Sequence, residues 1–265
     1  MRLSIHLDHI LTAATESGDT PEETLAAVKA RGFSAVDVNE DTSDADIEAA
    51  KAAGFSVAAM HGFYHLGYRE SDLARAEAAL LRAASLGADY FVIVPGVLLN
   101  KQDTAAYEKM CAAVESLAKK GKTVGITVLI EGVAHEGAPY TSSVGALSFL
   151  EKAPTAHLSF YTAAFLYAGE EAILAYRETA PYVARVTLRD GLREDRTYGE
   201  AALTTREGIS YFPAPALKGD LHLAELLKAM QRDGYSGDVV CEHFGASVSL
   251  CIDVEAEALK PFIEE

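Results

Sequence analysis

Two glutamates follow stretches in which a carboxylate is hard to accommodate. Glu131 closes the run TVLIE and Glu242 closes DVVCE, each directly after mostly apolar residues. A carboxylate at the end of a buried strand loses its hydration and needs a metal, an arginine or a substrate hydroxyl in return. One such glutamate is equally well read as an ion pair on the rim of the fold, with Arg189 as its partner. Two of them, at strand ends that closure of a single sheet would bring together, are better read as a site. Other polar residues that end apolar runs are Asp8, Asn39, Glu40, His61, Tyr161, Arg189, Asp190 and His243. His222 has ligand-like spacing in Asp220-x-His222, but Asp220 reads more simply as a helix N-cap. His157 opens its run and is read as structural. His6, His9 and His65 say little individually, and His135, beyond Glu131 on the same loop, is the one of this group expected to enter the pocket.

The elements that must position these residues follow a repeated local grammar. An alanine-rich helical stretch ends in Lys or Arg, a glycine follows, and then comes a short β-branched or aromatic run, as in VKARGFSAVDV and QRDGYSGDVVCE. Gly32, Gly54, Gly87, Gly121 and Gly234 are placed to close helices in the left-handed conformation. The apolar runs are continuous rather than alternating, as parallel strands buried on both faces require. Strands are expected at Leu3–Leu7, Ala35–Val38, Ser56–Met60, Tyr90–Val94, Val124–Ile130, His157–Tyr161, Ala184–Leu188 and Asp238–Cys241. Helices are expected at Pro21–Arg31, Asp44–Ala53, Ser71–Leu86, Thr104–Lys120, Ser143–Glu151, Glu170–Thr179, Leu221–Arg232 and Val254–Glu264. Eight strands alternating with eight helices make a single-domain α/β (β/α)8 TIM barrel, residues 1–265, with an open doubly wound sheet as the runner-up. Against the runner-up, no GxGxxG follows the first strand. One segment breaks the rhythm: Gly191–Gly219, after the seventh strand, is a long excursion expected to cover the barrel mouth or to meet a second subunit.

Composition narrows the function classes. The 265 residues carry 23 Lys+Arg against 39 Asp+Glu, a net charge of −16, which argues against nucleic acid and against anionic lipid as partners. Three cysteines without metal-ligand spacing suit a reduced, cytoplasmic protein. No stretch reads as a membrane span or a signal peptide.

The segments HGFYH (His61–His65), VPG (Val94–Gly96), VLIEG (Val128–Gly132), VTLRD (Val186–Asp190) and GDLHLAELLKAMQRDGYSGDVVCEHF (Gly219–Phe244) together resemble the xylose isomerase-like barrel superfamily. More narrowly they resemble its sugar-phosphate isomerase/epimerase branch, over nearly the whole chain. The resemblance implies a divalent metal held by two Glu, one Asp and one His, with the two Glu also moving a proton beside a carbonyl. Glu131 and Glu242 match the two Glu. The Asp falls at Tyr161, with its companion His at Ala164, and the metal-binding His falls at Thr187, while Arg189 and Asp190 keep a basic-acidic pair. A neutral Tyr and Thr do not replace a carboxylate and an imidazole toward Mg, Mn, Co or Zn. The abasic-site endonuclease branch fits poorly, because Val94 stands where that branch has a His before Pro-Gly and the charge is strongly negative.

The expectation is an isomerase or epimerase acting on a small, sugar-like polyhydroxylated carbonyl compound. Glu131 and Glu242 would be its acid/base pair, and His61, Tyr161, Thr187, Arg189, Asp190 and His243 its substrate contacts. No tightly bound metal is expected, only a weak divalent cation on Glu131 and Glu242 if any. The alternative is a repurposed barrel that binds a sugar-like ligand or a partner protein without turnover. A homo-oligomer is left open.

Overall fold

The computed structural model describes residues 1–194, 203–243 and 247–263. Its barrel strands are β1 (Arg2–His6), β2 (Ala35–Asn39), β3 (Ser56–Phe63), β4 (Tyr90–Val94), β5 (Thr127–Glu131), β6 (His157–Tyr161) and β7 (Val183–Leu188). Three short strands follow, β8 (Asp190–Leu192), β9 (Leu203–Thr204) and β10 (Ser210–Ala214), which form a small antiparallel sheet of their own. The last strand, β11 (Asp238–Cys241), pairs in parallel with both β7 and β1 and closes an eight-stranded parallel barrel in a single domain.

The continuous apolar runs divide by period two once they are folded. Val36, Val38, Phe91, Ile93, Val128, Ile130, Phe160 and Val186 point outward into the core shared with the surrounding helices. Their alternates Ala59, Val92 and Leu129 form a separate small apolar cluster inside the barrel. The rest of the interior is polar, with Ser4, Asp37, His61, Glu131, Ser159, Arg185 and Thr187 all buried. Two register shifts, at Val36/Asp37 and Leu158/Ser159, fall beside interior polar residues. An irregularity of this kind re-aims the side chains next to it.

Several boundaries differ from the sequence expectation. A helix, Leu7–Ser17, starts directly from β1 with His6 as its N-cap and no side-chain capping bond, so no start signal announces it. The helix Thr104–Thr123 runs through Gly121, and Gly125 takes the positive φ instead, which moves β5 to Thr127–Glu131. Gly32, Gly54, Gly87 and Gly234 do take positive φ, as expected. The last helix begins earlier, at Val248. Asp220 is not the N-cap of the helix Leu223–Arg232. That position is His222, at φ 53°, and Asp220 accepts the backbone N–H of Arg193 at 2.9 Å.

The described part of the Gly191–Gly219 excursion packs beside the end of β6. Leu203 joins Tyr161, Ala163 and Ala164 in one apolar cluster, and the backbone N–H of Arg206 donates to the Tyr167 carbonyl at 3.0 Å. Residues 195–202 of the excursion lie outside the described residues.

Candidate active site

Where the strands end, a pocket of about 530 Å³ opens at the barrel mouth. A parallel barrel gathers its loops there, so residues far apart in sequence meet at the C-terminal ends of the strands. Glu131 and Glu242 both line the pocket, together with His6, Asp8, His9, His61, Tyr161 and Arg189.

Glu131 is fixed from below. Its Oε2 accepts from Ser159 Oγ at 2.6 Å and from Thr187 Oγ1 at 3.0 Å, one donor from β6 and one from β7. Glu242 follows β11, and its Oε2 is buried and has no hydrogen-bond partner among the described residues. Burial pushes its carboxyl from the usual 4.5 up to about 7, and the charge of Glu131 adds to the rise. Tyr161, hydrogen-bonded to Glu242, and the nearby Arg189 pull the other way. Arg189 Nη1 donates to the Tyr161 hydroxyl at 3.2 Å. Its backbone is pinned by Thr162, whose Oγ1 accepts from Arg189 N and donates to Arg189 O, both at 2.8 Å. Burial and the Glu242 charge hold the Tyr161 phenol well above its ordinary value, so Tyr161 remains a hydrogen-bond donor.

The opposite wall is built of imidazoles. The rings of His61 and His6 lie 4.9 Å apart, those of His6 and His9 5.2 Å, and those of His9 and His243 5.2 Å. Burial lowers His6, His9 and His61, leaving them neutral near pH 7. His61 Nε2 lies 2.9 Å from Asp37 Oδ2, and Arg185, wholly buried, donates to the same oxygen. Asp37 Oδ1 accepts from Ser4 Oγ at 3.1 Å.

Three expected contacts lie elsewhere. Asp190 does not line the pocket: its carboxylate accepts the backbone N–H groups of Gly191, Gly219 and Leu221 at 2.9, 3.0 and 3.3 Å and so anchors both ends of the excursion. His243 is paired with buried Glu255, behind His9 rather than in the pocket lining. Thr187 reaches Glu131 instead of lining the cavity. His135, expected in the pocket, uses Nδ1 to accept from Gly137 N at 3.0 Å, while Gly132, Val133 and Ala134 line the mouth.

The divalent metal implied by the resemblance can be tested against these donors. Tyr161 and Thr187 are neutral hydroxyls already bonded within the site, and Glu131 Oε2 already takes two O–H donors. A second group, His6, Asp37 and His61, brings its ligand atoms within 4.8 Å of one another, a spacing that one ion could bridge. There, however, both Asp37 oxygens are committed, and the Arg185 guanidinium already neutralises the carboxylate. A second cation beside a buried guanidinium would be repelled in a medium of low polarity. Both donor sets are thus partly taken up by bonds within the protein, and the second already holds a cation, the Arg185 guanidinium.

Asp37, Arg185, His6 and His9 were not singled out from the sequence. The signal for two of them was present: Asp37 sits inside the apolar run AVDVN, and Arg185, Thr187 and Arg189 alternate at period two. An interior charge in a strand needs a partner, and these two charges are partners across the barrel.

Residues 25–261 match the family model of the xylose isomerase-like TIM barrel. No curated protein matches the chain. Among solved structures, an L-ribulose 3-epimerase superposes with a TM-score of 0.75 at 16% identity, covering 100% of this chain and 95% of that one. The probable 3-DHS dehydratase AsbF from Bacillus anthracis gives 0.74 at 11% identity, covering 98% and 99%. A xylose isomerase-like TIM barrel protein from Mycobacterium smegmatis in complex with magnesium gives 0.69 at 17%, covering 91% and 87%. At these identities the likeness is one of fold.

Proposed function

The chain belongs to the xylose isomerase-like TIM barrel family, and from that membership we propose that it acts on a small polyhydroxylated carbonyl compound, moving a proton at the carbon beside the carbonyl. The observation that carries the reading is the pair Glu131 and Glu242 in one buried pocket, with Glu242 pushed up to about 7. A carboxyl that titrates near neutral pH can both take and return a proton there. In this reading Glu242 removes the carbon-bound proton, and the Glu131–Glu242 pair, which then holds that proton, returns it, with Glu131 oriented by Ser159 and Thr187. Tyr161 and Arg189 supply donors to the oxygen that gains negative charge as the C–H bond breaks. Names of fold neighbours, an L-ribulose 3-epimerase and a D-tagatose 3-epimerase-like protein, support sugar isomerisation or epimerisation as the reaction class.

The same reading has the chain working without a tightly bound metal, with at most weak divalent binding on Glu131 and Glu242, and residing in the cytoplasm with its three free cysteines reduced. Among the described residues no helix is long and apolar enough to cross a membrane. The test is proton exchange: free and phosphorylated pentoses and hexoses, as aldoses and ketoses, are incubated with the protein in D2O. Deuterium entering the carbon beside the carbonyl is followed by proton NMR. Exchange that is lost in Glu242→Gln and Glu131→Gln supports the reading. Compounds that raise the melting temperature without exchanging would instead favour a barrel that binds without turnover.

A further inference from the structure

We propose that His61 is a third proton-transfer residue of this pocket, and that the buried Asp37–Arg185 pair sets it by fixing which ring nitrogen carries the hydrogen. This rests on the acid/base reading of the pocket given above.

The tautomer follows from the contacts. His61 Nε2 lies 2.9 Å from the carboxylate oxygen Asp37 Oδ2 and 3.4 Å from Arg185 Nη1. One nitrogen of a neutral imidazole either donates or accepts. A lone pair at Nε2 would accept from Arg185 Nη1 only at the long distance of 3.4 Å and would be repelled by the carboxylate at 2.9 Å, whereas an N–H there makes a charge-assisted bond to Asp37. Nε2 therefore carries the hydrogen, and Nδ1 keeps its lone pair. Asp37 has no freedom to turn away, because Ser4 holds Oδ1 and Arg185 holds Oδ2. Arg185 also cancels the Asp37 charge, so Asp37 orients the ring without drawing a second proton onto it. Facing His61 besides these two are His6 from β1, Asp8, Glu131 and Glu242; the three carboxylates favour its charged form while burial opposes it.

A satisfied core histidine would need none of this apparatus. A buried Arg–Asp pair inside a barrel is a weak route to stability, since apolar side chains of the same volume often do as well or better. Here the pair ends on a ring that lines the pocket shared by Glu131 and Glu242.

The resulting step balances. In interconverting an α-hydroxy aldehyde and an α-hydroxy ketone, Glu242 takes the hydrogen from the hydroxyl-bearing carbon as a proton, and the C–H electrons form the double bond of an enediolate. His61 Nδ1 takes the proton of that carbon's hydroxyl, whose oxygen becomes the new carbonyl, and gives it to the former carbonyl oxygen. A carboxyl of the glutamate pair returns a proton to the neighbouring carbon. No hydrogen is gained or lost overall, and no external oxidant is needed. The substrate class is thereby narrowed to compounds with a carbonyl and a hydroxyl on adjacent carbons. Asp37 and Arg185 act only through His61 and are positioning residues.

The test has a spectroscopic arm and a kinetic arm. Protein labelled with 15N at histidine is recorded in long-range proton–nitrogen NMR, with His61→Gln assigning the signal. The expected result is a protonated Nε2 and a bare Nδ1 for His61, with that preference lost in Asp37→Asn. Arg185→Met is the second positioning variant, and Asp37→Asn stands in for it if it fails to fold. Kinetically, on any aldose or ketose of the panel that exchanges, His61→Gln is expected to lower kcat by about 10²-fold or more with KM changed only a few-fold. A hydrogen on Nδ1, an unchanged kcat, or a panel in which no compound exchanges would overturn the proposal. Exchange that survives Glu242→Gln but falls in His61→Gln would overturn the carboxylate reading and leave the His61 role standing.

Discussion

Glu242 sets the pH response of the site. Its carboxyl rises to about 7 chiefly because it is buried, and next because Glu131 is charged nearby. If its ionised form removes the carbon-bound proton, the fraction of active base grows as pH rises through about 7 and levels off above. The exchange rate at low substrate should therefore climb about tenfold per pH unit below 6 and flatten above 8, and the inflection should vanish in Glu242→Gln. A rate independent of pH between 5 and 8 would remove Glu242 from the role. The Arg185–Asp37 pair has a different signature. Both side chains are fully buried, so Arg185→Met leaves a carboxylate without its counter-charge and is expected to cost about 3–5 kcal/mol of stability. Arg185→Met combined with Asp37→Asn should recover most of that loss in urea unfolding. At this scale the two glutamates were legible, because each ends an apolar run. Asp190 and His243 are bonded outside the pocket lining, which sequence does not foretell, because it shows that a polar group stands near a strand end but not where its hydrogen bonds go. Asp190 accepts from three backbone N–H groups, of Gly191 and Gly219 in the excursion and of Leu221 just after it, and His243 pairs with Glu255, twelve residues on.

The helix Val248–Ile263 shows how an element is tied to the barrel by one side chain. Glu255, fully buried in that helix, accepts the backbone N–H of Ala216 at 2.6 Å through Oε1 and pairs with His243 through Oε2. It thus joins the last helix, the end of β11 and the closing stretch of the excursion. Glu255→Ala strands two buried donors and is expected to lose about 3 kcal/mol. Amide exchange should quicken first in Val248–Ile263 and at Ala216, while β3 to β5 keep their protection; uniform acceleration would mean that Glu255 supports the whole barrel instead. Most elements were readable because helix, glycine and buried strand recur as a unit, and four of the five glycines assigned to helix ends do adopt positive φ. The fifth, Gly121, stays helical. A Cβ there would sit 2.7 Å from the Ile126 carbonyl oxygen, so it is close packing that requires glycine. The helix Leu7–Ser17 was missed for the opposite reason: β1 passes into it with no turn and no capping side chain to mark the change.

Across the whole molecule, net charge and the buried imidazoles pull stability in opposite directions as pH falls. With a net charge of −16, self-repulsion eases on acidification, which alone would make the fold firmer toward its isoelectric point. Two buried carboxyls act in the same sense. Glu242 is raised to about 7 and Asp190 to about 6, so the stability they contribute is complete below their unfolded values and is lost as pH rises through 6 to 7. The three imidazoles of the pocket wall work against this. His6, His9 and His61 are lowered by burial, so below the ordinary value of 6.5 the unfolded chain takes up protons that the native state refuses. Their contribution is present above 6.5 and is lost as pH falls. His9, lowered to about 3, and His6, lowered well below 6.5, refuse protons throughout the acid window. The carboxyl uptake fades there as the unfolded carboxyls protonate too, so the histidines prevail; above pH 7 the opposing uptakes nearly cancel. Urea midpoints should therefore be level from about pH 7 to 8 and decline from 6 to 4.5, even as net charge shrinks. Replacing Glu242 by Gln removes the opposing uptake. That variant should gain up to roughly 3 kcal/mol at pH 8, meet the wild type near pH 5, and so show the steeper acid loss. A Glu242→Gln variant whose acid loss is no steeper than that of the wild type would mean that Glu242 is not held near 7 in the folded state.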